Sequence, residues 1–220
     1  MKHPLLRVEQ LAKQYQRGLI RKKTTFSLSA DFQVDKPCVI GVMGPNGSGK
    51  TTLFEMITGS NLPSGGRVLV NGQDIHQVRT RERDRLAVHY HQSYQVRSFQ
   101  KSKPDFMLAH AEGNSPLVHL FDEPQFNTQD GYIGFMLDFF SKLRSQGKIV
   151  FLCLHPNEPY HIDILRKSCE RFIYVQKGVV TEAADFATLT SDPRVRAYLG
   201  ALAPALDTAP ESPALAAYAP

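Results

Sequence analysis

The sequence predicts an α/β domain with a mostly parallel sheet at its centre, and three observations carry that prediction. Residues 39–43, 117–121 and 149–154 are apolar almost continuously, the pattern of parallel strands covered on both faces. The interval between the last two runs holds Ile133, Phe135, Met136, Leu137, Phe139, Phe140 and Leu143, a strongly apolar helix. The first run leads directly into Gly44-Pro45-Asn46-Gly47-Ser48-Gly49-Lys50-Thr51-Thr52, a glycine-rich turn between strand and helix.

The opening of the chain is strand-rich. Residues 5–9 and 24–34 read as short strands around a loop, followed by the buried strand 38–43. A helix is expected from Lys50 to Thr58, stopped by Gly59 at the position where a left-handed residue ends helices. Residues 61–66 form a turn, 67–70 a strand, and Asn71-Gly72 is a two-residue hairpin signal. These elements make an N-terminal antiparallel β-subdomain. A polar helical stretch over 77–86 precedes a strand candidate, 86–90, that ends at Gln92. The apolar helix after Tyr132 stops at Gly147. Residues 172–175 and 179–181 pair around Lys177-Gly178 and lead into two short helices, the second opened by Asp192-Pro193. One folded domain therefore spans 1–200, and the Ala/Pro-rich residues 201–220 read as a flexible tail, disordered or loosely docked.

Composition narrows the function classes. The chain has 220 residues and a formal net charge of +5, with 17 Lys/Arg against 7 acids in residues 1–103 and 9 against 14 in 104–220. The interleaved signs of Arg81-Glu82-Arg83-Asp84-Arg85 describe a solvated helical face rather than a nucleic-acid surface. No apolar run approaches a membrane span and no leader is visible, so a soluble chain is expected. Cys38, Cys153 and Cys169 lie in or beside apolar stretches without paired spacing, as reduced core thiols do.

The glycine-rich segment fits G-x-x-x-x-G-K-[ST], a phosphate-binding loop. Its glycines let backbone N–H groups turn toward the α- and β-phosphates of a nucleotide, Lys50 neutralises β/γ charge, and the Thr51 hydroxyl ligates Mg²⁺. The following helix aims its positive end at the same anion. In open α/β sheets ligands lie beyond the carboxyl ends of strands, and two more strand ends carry polar chemistry. Asp122 fits the acid that holds Mg²⁺, usually through a water, and Glu123 the base that orients and deprotonates the attacking water. His155 stands where it would hydrogen-bond the γ-phosphate and that water. His89 with His91, and Cys153 with His155, form an incomplete metal set without zinc spacing. His119 reads as a hydrogen-bonded core side chain and His161 as surface loop.

Over residues 5–200 these motifs resemble the ATP-binding subunit of an ABC transporter, whose P-loop NTPase fold of ABC-ATPase type the resemblance implies here. By that likeness residues 8–15 match the family's opening strand and Tyr15 is the aromatic that stacks on adenine. Gln92 would touch Mg²⁺, making Thr51, Gln92 and Asp122 its ligand set. The resemblance implies ATP and Mg²⁺ as ligands, a second ATP-binding subunit in a hetero- or homodimer, an integral membrane transporter subunit, and a cytoplasmic place on the inner face of the membrane.

Two departures matter. Family members insert a multi-helix subdomain between glutamine and acidic strand, ending in a serine-glycine signature that caps the partner's ATP. Only 30 positions separate Gln92 from Asp122, leaving a reduced helical subdomain, and Ser98-Phe99-Gln100-Lys101-Ser102 contains no glycine. Asp130 also falls one position late. The expectation is an ATPase whose signature comes from a partner, with slow turnover alone. The alternative is a nucleotide-gated clamp of the same fold. A small-molecule kinase fits the loop but not Asp122-Glu123 followed by His155.

Overall fold

The computed structural model describes residues 3–18, 23–91, 116–124 and 132–208. Among these residues ten strands form one sheet: β1 (Leu6–Arg17), β2 (Lys23–Val34), β3 (Val39–Met43), β4 (Gly65–Val70), β5 (Gln73–Asp74), β6 (Ala87–Tyr90), β7 (Val118–Asp122), β8 (Ile149–Cys153), β9 (Arg171–Gln176) and β10 (Val179–Ala183). Their order is β5-β4-β1-β2-β10-β9-β3-β8-β7-β6. The half running from β9 to β6 is parallel throughout, as the unbroken apolar runs require. The other half is an antiparallel subdomain built on β1, β2, β4 and β5. A single parallel bridge between Val179 and Ser29 joins β10 to β2.

Alternate residues of the central strands enter two cores. Ile40 and Val42 pack with Leu53, Phe54 and Ile57 of helix α1 (Lys50–Ile57) and with the N-terminal strands. Val39 and Met43 point the other way, into a cluster with Met136 and Phe140 of α3 (Tyr132–Ser145) and Ile162 and Leu165 of α4 (Pro159–Ser168). Aromatic rings tighten this second core, where Phe121 stands 4.5 Å from Tyr90 and 4.9 Å from Phe140 between ring centres. Truncating a ring so enclosed costs about 3–5 kcal/mol. Among the described residues no helix is long and apolar enough to cross a membrane.

Four expectations change. The first strand does not stop at residue 9: Gln10 takes a φ of +45° and the register shifts between Val8 and Leu11, a bulge after which pairing with β2 resumes. The polar helix over 77–86 contracts to α2 (Thr80–Arg83). Helix α4, absent from the sequence reading, starts at Pro159, and His161 belongs to its first turn rather than to a surface loop. Glu158 accepts the backbone N–H of His161 while the His161 ring accepts the N–H of Glu158, a reciprocal cap.

The tail is the fourth, narrowed rather than overturned: of the two readings, disordered or loosely docked, residues 201–208 take the docked one. After α5 (Phe186–Ser191) and α6 (Pro193–Leu199) the chain forms a 3₁₀ helix, Gly200–Leu206, that buries Leu206 against the helical core. The Arg166 guanidinium donates to the carbonyls of Ala205 at 2.8 Å, Leu206 at 3.0 Å and Thr208 at 2.9 Å, which supplies the partners that terminal carbonyls lack. Residues 209–220, Gln92, Asp130 and the 98–102 segment lie outside the described residues.

Candidate active site

Strand β3 delivers the chain into a loop whose geometry rests on two glycines. A Cβ on Gly44, at φ +149°, would stand 2.0 Å from the Val175 carbonyl oxygen; one on Gly49, at φ +112°, would stand 2.7 Å from Leu28 and 2.8 Å from Phe26. No larger residue fits either place. The loop closes on itself through Ser48 N–H to the Pro45 carbonyl, 3.2 Å, and hands over to α1 through Leu53 N–H to the Gly49 carbonyl, 2.9 Å. Lys50 is buried, and its ammonium donates to the Gly44 carbonyl at 2.7 Å and the Pro45 carbonyl at 3.0 Å, leaving one of three hydrogens uncommitted. The buried Ser48 hydroxyl has no hydrogen-bond partner. The first turn of α1 contains no acid to compete with an anion.

A pocket of about 480 Å³ opens over this loop. It is lined by Tyr15 and Phe26, by the loop residues Asn46, Gly47 and Gly49, by Lys50, Thr51 and Thr52 of the first helical turn, and by Glu123. Tyr15 and Phe26 face each other across the β1–β2 pair, their rings 6.1 Å apart and tilted by 40°. Asn61 donates to the Tyr15 hydroxyl at 2.7 Å and to the Glu55 carboxylate at 2.8 Å, which fixes the free end of the ring. Tyr15 remains 38% exposed, so its ring is available to a planar ligand.

At the end of β7, Asp122 accepts the Thr51 hydroxyl at 2.9 Å, and the His89 ring nitrogen lies 3.3 Å from the same oxygen. Burial pushes the Asp122 carboxyl up, but the hydrogen bonds from His89 and Thr51 outweigh it and hold the group below its ordinary range. Asp122 is therefore an anion beside a hydroxyl, an all-oxygen donor pair that suits a hard cation such as Mg²⁺. Glu123 follows at φ +50°, a conformation unusual for a residue with a side chain, and its N–H is held 3.0 Å from the Cys153 carbonyl. That turn sends Glu123 to the pocket wall.

The structure thus brings Lys50, Thr51, Asp122 and Glu123 to one place, with Tyr15 on the pocket's lining and Asn46, Gly47, Gly49 and Thr52 around it. Gly44, Pro45 and Ser48 lie behind the lining and shape the loop. His155 does not line the pocket; it is exposed beyond β8, next to β7 in the sheet, with its Nδ1 2.7 Å from the Tyr198 hydroxyl. Sequence reading missed three participants. Phe26 was legible as the cross-strand neighbour of an aromatic, whereas the contacts of His89 to Asp122 and of Tyr198 to His155 join residues distant in sequence. His119 is a core residue as expected, 3.0 Å from the Tyr90 hydroxyl. The three cysteines are free and buried, and burial raises each thiol. Among the described residues no group of three or more His, Cys, Asp or Glu is set to hold a metal.

Comparison with known proteins agrees with this geometry. Residues 28–105 match the family model described as ABC transporter. The chain is 34% identical over 83 residues to the lipoprotein-releasing system ATP-binding protein LolD of Coxiella burnetii, a stretch covering 38% of this chain and 35% of that protein. It is 44% identical over 52 residues to the intermembrane phospholipid transport system ATP-binding protein MlaF of Haemophilus influenzae, covering 24% and 20%. The matched stretches thus span about a third or less of these relatives. The fold is shared over far more of the chain. The ATP-binding cassette MJ0796 in a dimeric post-hydrolysis state with ADP and Pi superposes with a TM-score of 0.61, covering 81% of this chain and 98% of that one at 18% identity. The ADP conformation of MJ1267, an ATP-binding cassette of an ABC transporter, gives 0.63 with coverage of 89% and 98%, also at 18% identity. The phosphate loop between strand and helix lies inside the matched residues 28–105, where this chain is similar to ATP-binding proteins of ABC transporters, and over most of its length it shares the fold of ATP-binding cassettes.

Proposed function

We propose that this domain binds ATP with Mg²⁺ and hydrolyses it, as the ATP-binding subunit of a transporter complex on the cytoplasmic side of a membrane. The observation that carries the reading is Glu123 on the wall of the pocket floored by Lys50 and Thr51, with Asp122 hydrogen-bonded to Thr51 beside it. The loop N–H groups and the uncommitted hydrogen of Lys50 receive the phosphates, and Tyr15 and Phe26 offer rings to the base. Thr51 and Asp122, and by the family resemblance Gln92, would hold Mg²⁺, which would neutralise charge on the phosphate oxygens. Glu123 orients the attacking water and accepts its proton, a role typically contributing about 10²–10⁴-fold. His155 hydrogen-bonds the γ-phosphate and that water.

Glu123→Gln keeps the shape and removes the proton acceptor. It is expected to leave ATP affinity within about twofold while lowering hydrolysis by about 10²–10⁴-fold. Equal turnover by variant and parent excludes Glu123 as the base.

The glycine-free Ser98–Ser102 segment supports a paired assembly, in which a second ATP-binding subunit supplies the signature across the interface. Donors of that kind contribute about 10²–10³-fold each. The chain alone should therefore hydrolyse ATP slowly at every protein concentration, and a partner with an intact signature should raise turnover by about that factor. Fast, concentration-dependent turnover without a partner would point to a self-sufficient homodimer. The short interval between Gln92 and Asp122 favours a second reading, an ATP-gated clamp without transport, because that interval normally receives the membrane subunit. Turnover that stays slow with every partner supports the clamp.

A further inference from the structure

His155 is held by a residue that no motif of the site contains. The Tyr198 hydroxyl lies 2.7 Å from His155 Nδ1, and the two ring centres are 5.8 Å apart. Tyr198 is carried on α6, whose seat is firm. Val195 and Leu199 are buried in the helical core, Asp192 caps the first turn by accepting the Arg194 N–H at 2.8 Å, and the Arg196 guanidinium meets Asp207 at 2.8 and 3.0 Å. The Tyr198 ring packs 6.1 Å from Tyr174, whose hydroxyl donates to the Arg194 carbonyl at 3.2 Å. One face of the phenol is thus braced by the sheet, and its hydroxyl reaches the histidine beyond β8.

We propose that Tyr198 is a positioning residue for hydrolysis: its hydroxyl donates to His155 Nδ1, fixing the ring and the tautomer in which Nε2 carries the proton. The proposal rests on the reading of His155 as the γ-phosphate contact. A neutral imidazole has one donor and one acceptor nitrogen, and the partner of one nitrogen decides the role of the other. With Nδ1 accepting, Nε2–H is the free donor, which is the form that a phosphate oxygen needs. With Nδ1–H donating to the phenol oxygen, Nε2 would be a lone pair facing an anion. Burial, together with the nearby Cys153, Tyr174 and Glu123, strongly disfavours a charged phenolate, so the Tyr198 hydroxyl keeps its hydrogen throughout the neutral range. His161, on the first turn of α4, is also near enough to His155 for their charges to interact.

The test is nitrogen-15 NMR of the histidine rings in the full chain, with His155 assigned by its loss in His155→Ala, together with single-turnover hydrolysis at protein excess. In the parent chain His155 should show the Nε2–H pattern with a hydrogen-bonded Nδ1. Tyr198→Phe keeps the ring and its packing, so it should shift the Nδ1 resonance toward that of an unpaired imidazole and lower the hydrolysis rate by about 3- to 10-fold, the worth of one hydrogen bond. ATP affinity should stay within twofold. An Nδ1–H pattern in the parent, or an unchanged His155 spectrum in Tyr198→Phe, overturns the proposal. If His155→Ala lowers hydrolysis while Tyr198→Phe leaves rate and spectrum alone, the site reading stands and the positioning role falls. If His155→Ala itself leaves hydrolysis unchanged, both fall.

Discussion

At the end of β3 the candidate site is made by nine consecutive residues, whereas beyond the end of β8 His155, proposed as the γ-phosphate contact, meets a tyrosine 43 positions further along. In the loop, backbone angles permitted to Gly44 and Gly49 set the shape, and Lys50 is tied to carbonyls five and six residues back. Beyond β8 the hydrogen bond that His155 makes comes from far along the chain. Its geometry depends on how α6 packs on the sheet and on how the following 3₁₀ helix is clamped by Arg166 and Arg196. A wall made by local backbone forms with its own turn and is hard to alter without destroying it. A wall made by distant side chains forms only when the tertiary structure does, and it can be loosened by degrees. Changes in the first region should therefore abolish binding, and changes in the second should move rates and stability while binding persists.

The largest expected effect sharpens that contrast. Lys50→Ala removes the buried charge and should leave no ATP binding measurable by calorimetry, at a temperature where the variant is folded. Loss of the donor also leaves the Gly44 and Pro45 carbonyls short of a partner, at about 1–3 kcal/mol for a buried group, so the melting temperature should be measured alongside. Parental affinity in Lys50→Ala would mean that the loop is not the anion site, and the comparison would lose its first term.

The same contrast explains what the sequence disclosed. The phosphate loop, α1 with its stop at Gly59, the Asn71-Gly72 and Lys177-Gly178 turns and the fully buried strands were all legible, because each is dictated by residues adjacent in the chain. Glu123 and His155 could be placed at strand ends but not aimed. Only the left-handed turn at Glu123 shows that it reaches the pocket, and only the packing of α6 shows what His155 meets. Helix α4 escaped because its opening, Asn157-Glu158-Pro159, has the composition of a loop, and Ile162, Ile164 and Leu165 are too few to set a period. The docking of residues 201–208 stayed undecided for a related reason. Their alanines carry no periodic face, and the arginine that satisfies their carbonyls lies about 40 residues earlier.

Tyr15 tests the ground between the two regions. It is placed by the local β1–β2 hairpin yet steadied by Asn61, 46 positions away. Tyr15→Ala should weaken ATP binding by about 1–3 kcal/mol, roughly 5- to 150-fold in Kd. The loss should be far smaller than that of Lys50→Ala because Phe26 remains on the pocket wall. An unchanged Kd would remove Tyr15 from the base site and leave the pocket's aromatic end to Phe26.

The smallest effect belongs to the C-terminal wall and is read through pH. The Arg194 guanidinium and backbone N–H hold the Asp192 carboxyl below its ordinary range. A carboxyl depressed in the folded chain stabilises it fully above the unfolded value, near pH 4, and that contribution is lost as pH falls through the depressed value. Asp192→Ala removes the cap of α6 at a cost of about 1 kcal/mol, or about 2–4 °C in Tm for a domain of this size. The gap in Tm between parent and variant should therefore be constant from neutral pH down to about 4.5 and close below about pH 4. Because α6 carries Tyr198, the variant should also hydrolyse ATP somewhat more slowly with its Kd unchanged. A gap that persists at low pH would show that the cap does not depend on the carboxylate charge. An altered Kd would show that α6 reaches the binding wall as well, and the division between a local wall for affinity and a distant wall for rate would have to be withdrawn.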